Sequence, residues 1–419
     1  MLKSLEIKRF KSIRSLNIEF GRVNLFIGGN GSGKSNLLEA VGLLSACVGE
    51  GLRGNDLDRK GVRLSPPELM KSAHKNADLP KTFELDAQFD CGVHYKVNLT
   101  SRENDPLLRF FSESCTLDGA KQFGQSGAGT SALGRSVQHE LDKYRGMWDQ
   151  VKVAYEFPQK LKGIFSEFGK YAIYAPQTDL LRGKRGGVVN TPPIGLHGEG
   201  LADAALHVIQ ASNNGRNKEL QEFSDLALDL LWLPGWAKMV RVGKINPKLV
   251  SKDIANPSEE MVYFFDKYMH EKRNTLSAYD SSEGTLFLLF VSILIAHEEA
   301  PRYFALDNVD NALNPNLTRK LVETIIKLTD VVYDKGYSFG PKQVFLTSHN
   351  PTALDAFDLF DDNHRVFVIS RNEKGHTVAE RLQPKEGMTR EEWNVAKSGK
   401  NLSQLWLDGA ILGANGLDL

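Results

Sequence analysis

Residues 23–36 read Val-Asn-Leu-Phe-Ile-Gly-Gly-Asn-Gly-Ser-Gly-Lys-Ser-Asn, and the fold turns on them. Val23 to Ile27 is a short apolar run of the kind that forms a strand buried on both faces. Gly28 to Ser35 then matches GxxxxGK[ST] in full, and from about Ser35 the residues Leu37, Leu38, Val41 and Leu44 give one face of a helix. Glycines let successive backbone N–H groups turn inward around phosphates, and the helix N-terminus adds positive potential. Lys34 then reaches the β/γ-phosphates and Ser35 offers a magnesium ligand. Asn30, Gly31, Ser32, Gly33, Lys34, Ser35 and Asn36 are therefore the expected nucleotide contacts, with ATP and Mg2+ as cofactors.

Outward from this loop the pattern is α/β. Leu5 to Phe10 and Ile13 to Phe20 read as strands, and residues 82–100 alternate around Cys91-Gly92 as a hairpin does, extending an N-terminal antiparallel sheet. Gly119 to Gly134 holds five Gly among Ser, Ala and Gln and reads as loop, as does Arg182 to Gly187. Residues 199–232 turn helical, the Pro- and Lys-bearing segment 234–257 follows, and Met261 to Phe265 reads as a strand. From there strands and helices alternate as in a parallel sheet: Tyr303 to Leu306, Leu317 to Leu328, Val344 to Thr347, Val366 to Ile369. The expected organisation is an N-terminal lobe over 1–198 with a loop-rich insertion at about 101–170, a helical insertion over 199–260, and a C-terminal lobe over 261–419.

Composition narrows the class. In 419 residues, 52 Lys plus Arg balance 52 Asp plus Glu, so any nucleic-acid contact must come from a local patch rather than from overall charge. Three widely spaced cysteines, Cys47, Cys91 and Cys115, support neither a disulfide framework nor a zinc cluster, and a reducing interior follows. The charged start lacks the apolar core of a secretory signal, and the run Leu286 to Ala296 is far short of the roughly 20 residues that span a bilayer. The expectation is a cytoplasmic protein without a membrane partner.

A second motif, Phe304-Ala-Leu-Asp307, is an apolar strand ending in a carboxylate, suited to hold magnesium beside Ser35. With the loop it resembles ATP-binding-cassette ATPases of the SMC and RecF type, and among them the compact ATPase subunits of bacterial anti-phage systems such as OLD, PARIS and Septu. Further residues carry the resemblance in the family's order. Leu5 to Ile13 is similar to its first strand, Ser281-Ser-Glu-Gly-Thr285 to its signature loop, Asp307 to Pro315 to its Walker B and D-loop, and Thr347-Ser-His-Asn-Pro351 to its switch histidine. The resemblance implies a P-loop NTPase fold, an ABC-ATPase head with mixed central sheet, antiparallel N-terminal sheet and helical insertion. It implies that Ser282 and Gly284 touch the γ-phosphate held by a second copy, making a homodimer or higher homo-oligomer with shared ATP sites. It also implies catalytic roles for Lys34, His349 and the residue after Asp307.

That residue departs from the family, which has Glu where this chain has Asn308. An amide orients water but takes no proton, and general-base assistance is worth roughly 10²–10⁴ in rate. Slow hydrolysis is expected, with Glu283, Asp310 or His349 as partial substitutes. Gln177 is the candidate for the family's magnesium-contacting glutamine, against the reading as an ordinary turn. The lesser alternative for Ser282 is a plain helix cap before a buried helix. Arg9 or Lys11 is a candidate nucleotide contact, and Arg182, Lys184 and Arg185 a candidate basic loop, against a solvated surface for both. Leu402 to Leu412, with Trp406, reads either as a docking segment or as a terminal helix on its own core.

No heptads lie between Ser35 and Ser282, which excludes long coiled-coil arms. Only 70 residues follow His349, too few for a Toprim nuclease domain, and neither HExxH nor GxSxG occurs. An ATPase head without its own effector points to a separately encoded toxin or nuclease as partner, the role being an ATP-gated sensor or scaffold in anti-phage defence. A RecF-like DNA-repair ATPase that binds nucleic acid and the motor of a transporter are the competing readings.

Overall fold

The computed structural model describes all residues except 76, 103–104, 106, 139, 185–190, 214–216, 252–253, 255–257 and 410–419. The chain forms two units, the first built from Met1–Ile173, Arg302–Asp307 and Gln343–Leu419, the second from Tyr174–Pro301 and Asn308–Lys342.

The first unit begins with the hairpin β1 (Leu2–Phe10) and β2 (Ile13–Glu19), after which β3 (Val23–Ile27) leaves for another sheet. β4 (Thr82–Phe89), β5 (Val93–Thr100), β6 (Arg109–Leu117), β7 (Ala120–Ser126), β8 (Gly129–Ala132) and β9 (Arg135–Ser136) complete an eight-stranded sheet in the order β2-β1-β4-β5-β6-β7-β8-β9. The segment expected to be loop from Gly119 to Gly134 is thus two strands of this sheet. Gly119, Gly127 and Gly134 serve its turns, its small polar residues face water near the sheet edge, and Phe123 enters the core fully buried.

The second sheet of this unit runs β10 (Ala172–Tyr174), β14 (Tyr303–Leu306), β15 (Gln343–Ser348), β3, β16 (His364–Arg371), β17 (Thr377–Leu382) in space. β14, β15, β3 and β16 pair in parallel and β17 closes the edge antiparallel, so the sheet is mixed. All five residues of β3 are buried, as its unbroken apolar pattern requires.

The helix Lys34–Val48 is buried on every side from Leu37 to Val48, not along one face as its spacing suggests. It lies in a core that Leu5, Ile7, Leu85 and Tyr95 of one sheet share with Phe26, Phe345 and Phe367 of the other. The one acid on it, Glu39, is neutralised within that core by the Lys11 ammonium and the Arg63 guanidinium.

The second unit holds the helices Leu201–Asn213, Lys218–Trp232, Glu283–Ala296 and Pro315–Lys335 and a three-stranded antiparallel sheet of β11 (Ala237–Lys244), β12 (Glu260–Asp266) and β13 (Thr275–Ser277). β11 was hidden in the sequence because it is an edge strand with largely accessible side chains and therefore no apolar alternation. The helix Glu283–Ala296 is apolar all round and buried from Thr285 to Ala296, packed against Leu201–Asn213 and Lys218–Trp232. Among the described residues no helix is long and apolar enough to cross a membrane. In the first unit, the short helix Leu402–Leu407 packs on the turn Pro351–Ala356, with Trp406 buried and Ser403 bonded to Asp355. This favours the terminal-helix reading of that segment, whose residues 410–412 lie outside the described chain.

Candidate nucleotide site

In a parallel sheet the C-terminal strand ends gather whatever side chains follow them. β3, β14 and β15 are neighbours in register, Leu306 opposite Leu346 and Ser348 opposite Ile27, so the residues after each strand converge. The glycine-rich loop follows β3, Asp307 follows β14, and Thr347 to His349 close β15.

The loop's geometry depends on Gly33, which caps the helix at φ 111° and whose Cβ, if it had one, would collide with the Thr377 side chain. The Thr377 hydroxyl donates to the Ser32 carbonyl at 2.9 Å and shares a 2.7 Å hydrogen bond with Ser12, clamping the loop from β17. Lys34 is buried, with Nζ donating to the carbonyls of Gly28 at 2.8 Å and Gly29 at 3.0 Å and standing 3.3 Å from His349 Nδ1. Ser35 Oγ donates to Asp307 Oδ2 at 3.3 Å, and Thr347 Oγ1 donates to Asp307 Oδ1 at 2.5 Å. A hydroxyl and a carboxylate this close form the hard oxygen donor pair that magnesium takes in phosphate sites. Ser32 Oγ is buried without a hydrogen-bond partner, an orphan that a phosphate oxygen would satisfy. Asn36, expected to touch nucleotide, instead donates to Ser12 Oγ at 2.7 Å and accepts from Arg63 at 3.2 Å.

The first unit therefore brings together Lys34, Ser35, Asp307 and His349 with the loop residues Asn30 to Gly33. Ser282, Gly284, Gln177 and Asn308 belong to the second unit. Ser282 caps the helix Glu283–Ala296, its Oγ accepting the Thr285 N–H at 3.3 Å and meeting Thr285 Oγ1 at 2.7 Å. Thr285 Oγ1 also accepts the Trp236 indole N–H at 2.9 Å, so a relay from Trp236 fixes Ser282. At Gly284 a Cβ would come within 2.7 Å of the Ala312 carbonyl, so a larger residue would force the backbone there to shift. Gln177 caps the turn Thr178–Leu181 with its N–H bonded to His197 O at 2.8 Å, and the adjacent Thr178 hydroxyl bonds Glu283. Asn308 is exposed at φ 59°, a left-handed conformation in which Asn is several-fold enriched, and Asp310 Oδ1 is buried without a hydrogen-bond partner.

Two basic candidates are otherwise engaged: Arg9 donates to Thr82 O at 3.0 Å, and Lys11 is tied to Glu39, burial lowering its affinity for protons. Lys184 pairs with Asp179 at 2.9 Å, while Arg185 lies outside the described residues. The clamp residues Ser12 and Thr377 and the relay residue Trp236 escaped sequence reasoning, since single polar residues far apart in the chain carry no spacing signal.

A mixed sheet with a phosphate loop at the end of a central strand and a carboxylate at the end of the next strand but one defines a P-loop nucleotide-binding head. Known proteins agree with that class. Residues 4–133 match a family model described as "AAA domain", and residues 207–355 one described as "AAA domain, putative AbiEii toxin, Type IV TA system". A solved SMC head bound to the C-terminal winged-helix domain of ScpA superposes with a TM-score of 0.51 at 15% identity, covering 92% of this chain and 99% of that one. The fold is that of SMC-head P-loop ATPases. The DNA replication and repair protein RecF of Clostridioides difficile (strain 630) is 41% identical over 69 residues, 16% of this chain and 18% of the relative. RecF of Caulobacter vibrioides (strain ATCC 19089 / CIP 103742 / CB 15) is 45% identical over 64 residues, 15% of this chain and 16% of the relative. The matched segments thus span less than a fifth of these relatives' own length.

Proposed function

We propose that the chain is an ATP-binding, slowly hydrolysing ATPase that self-associates through shared ATP sites and acts as a sensor or scaffold in bacterial anti-phage defence. The reading rests above all on one observation, the convergence of Lys34, Ser35 and Asp307, held by Thr347, at adjoining strand ends. The loop amides and Lys34 neutralise the triphosphate, and Ser35 and Asp307 would hold a Mg2+ ion, which would supply further charge neutralisation for phosphoryl transfer. His349, beside Lys34, meets the γ-phosphate end of the cradle. Asn308 orients water without accepting its proton, so turnover is slow and the ATP-bound state long-lived. Ser282 and Gly284 seal the nucleotide of a second copy.

The AbiEii description of the model matching residues 207–355 supports a link to toxin–antitoxin or defence systems, with a separately encoded toxin or nuclease as the controlled partner, in the cytoplasm. Phage plating on cells carrying the chain with its neighbouring genes tests this. Protection should require Lys34 and vanish in Lys34→Ala; protection indifferent to Lys34→Ala overturns it. The RecF segments favour a second reading, a DNA-repair ATPase, for which ATP-dependent duplex binding with a steep salt slope is the mark.

A further inference from the structure

Basic side chains of the first unit include two contrasting groups. Lys8 pairs with Glu6 and Glu84, Lys11 and Arg63 with Glu39, and Arg365 with Glu19. Four others meet no carboxylate among the described residues. Arg14, exposed on β2, makes no hydrogen bond or ion pair there. Arg371 ends β16 and donates Nε to the Gly31 carbonyl of the loop at 2.8 Å. His376 precedes the clamp residue Thr377, and its ring centre lies 4.2 Å from that of His74 at an interplanar angle of 64°. His74 Nε2 is buried with no hydrogen-bond partner.

The positions are set by the turn between β16 and β17. Asn372 Oδ1 accepts the N–H groups of Lys374 and His376, at 3.1 and 3.0 Å, and the Asn372 N–H closes on His376 O at 3.0 Å. Glu373 and Lys374 on this turn are exposed and form no ion pair among the described residues. Burial, then His376 and the Arg14 and Arg371 guanidiniums, hold the His74 imidazole below its ordinary value, so the group sits in uncompensated positive potential.

Two guanidiniums and two imidazoles in edge-to-face contact, one with a buried ring nitrogen unpartnered, are the chemistry that binds phosphate, guanidinium giving paired N–H donors and imidazolium a switchable one. We propose that Arg14, His74, Arg371 and His376 form a second phosphate site flanking the Gly28–Ser35 loop, which takes a phosphate monoester or diester. Through Arg371 and the Gly31 carbonyl, and through the neighbouring Thr377 clamp, an occupant touches the loop that cradles nucleotide. Affinity rises as pH falls, because the His74 imidazole, held low by burial and its basic neighbours, then takes up a proton that a bound phosphate compensates. The site is independent of whether the chain hydrolyses ATP.

The test is histidine-ring NMR of the full chain titrated with inorganic phosphate against chloride at equal ionic strength, with His74→Gln and His376→Gln to assign the two resonances. Phosphate should raise the apparent pKa of both rings, should do so in Lys34→Ala as well, and should bind about tenfold more weakly in Arg14→Gln. Rings that ignore phosphate, or a response lost in Lys34→Ala and kept in Arg14→Gln, overturn the proposal. A parallel titration with a short DNA duplex separates the sources. Arg14→Gln lowers the salt slope of binding by about one if the phosphate belongs to nucleic acid. An unaltered slope beside a positive phosphate titration assigns the site to a free phosphate ester.

Discussion

Thr347 donates its hydroxyl to Asp307 at 2.5 Å, so the carboxylate that faces Ser35 is aimed by the neighbouring strand rather than left to rotate. Orientation of a metal-ligating carboxylate by such a bond typically accounts for 10–100-fold in affinity. Thr347→Val should therefore weaken Mg2+-dependent ATP binding by roughly tenfold while leaving metal-free nucleotide binding unchanged, as read by calorimetry with and without Mg2+. Equal loss in both conditions would mean that Thr347 only supports the strand.

Asn308 governs speed in the proposed mechanism. Asn308→Glu should raise steady-state turnover by roughly 10²-fold or more through general-base assistance, and Asn308→Ala should not raise it. The left-handed backbone at φ 59° sets a cost of about 1 kcal/mol on the Glu side chain, visible as a lower Tm. Turnover unmoved by Glu would show that another group already takes the proton.

The relay from Trp236 through Thr285 to Ser282 gives a separable prediction for self-association. Ser282→Ala and Trp236→Phe should both weaken dimerisation driven by a non-hydrolysable ATP analogue, Trp236→Phe by about fivefold, with ATP affinity per chain preserved. Light scattering and calorimetry report the two quantities independently. A Trp236→Phe protein that dimerises normally removes the relay from the mechanism.

Glu113 makes stability fall with rising pH. Its buried carboxyl accepts hydrogen bonds from Tyr95, Gln125 and the Met147 N–H, yet burial pushes it from 4.5 up to about 7. Between these values the folded chain keeps a proton that the unfolded chain releases. The stabilisation is full below 4.5 and lost as pH passes 7, on the order of 3 kcal/mol. Urea midpoints at pH 5 and pH 8 should differ accordingly, and Glu113→Gln should flatten the difference.

Much of this was legible in residues 23–36 because a phosphate loop is local: strand, glycines, lysine and helix follow one another without interruption. The placement of Asp307 and His349 just past strand ends was legible because each follows an apolar run. Thr377 was not, since it supports Gly33 from an edge strand hundreds of positions away, and nothing in its neighbours marks it. The glycine-rich segment 119–134 misled for a different reason, as hairpin turns and flexible loops draw on the same residues and only Phe123, buried beneath β7, betrays the sheet. Asn36 has the spacing of a nucleotide contact, but Ser12 and Arg63 compete for its amide.

β3 is central in its sheet, yet both its partners are encoded near the far end of the chain, β15 at Gln343–Ser348 and β16 at His364–Arg371. During synthesis Val23–Ile27 therefore waits on the order of tens of seconds before either flank exists to receive it. A ribosome-bound intermediate carries an exposed, adhesive segment through nearly the whole of translation, and that makes yield in the cell sensitive to chaperone supply in a way the finished molecule does not betray.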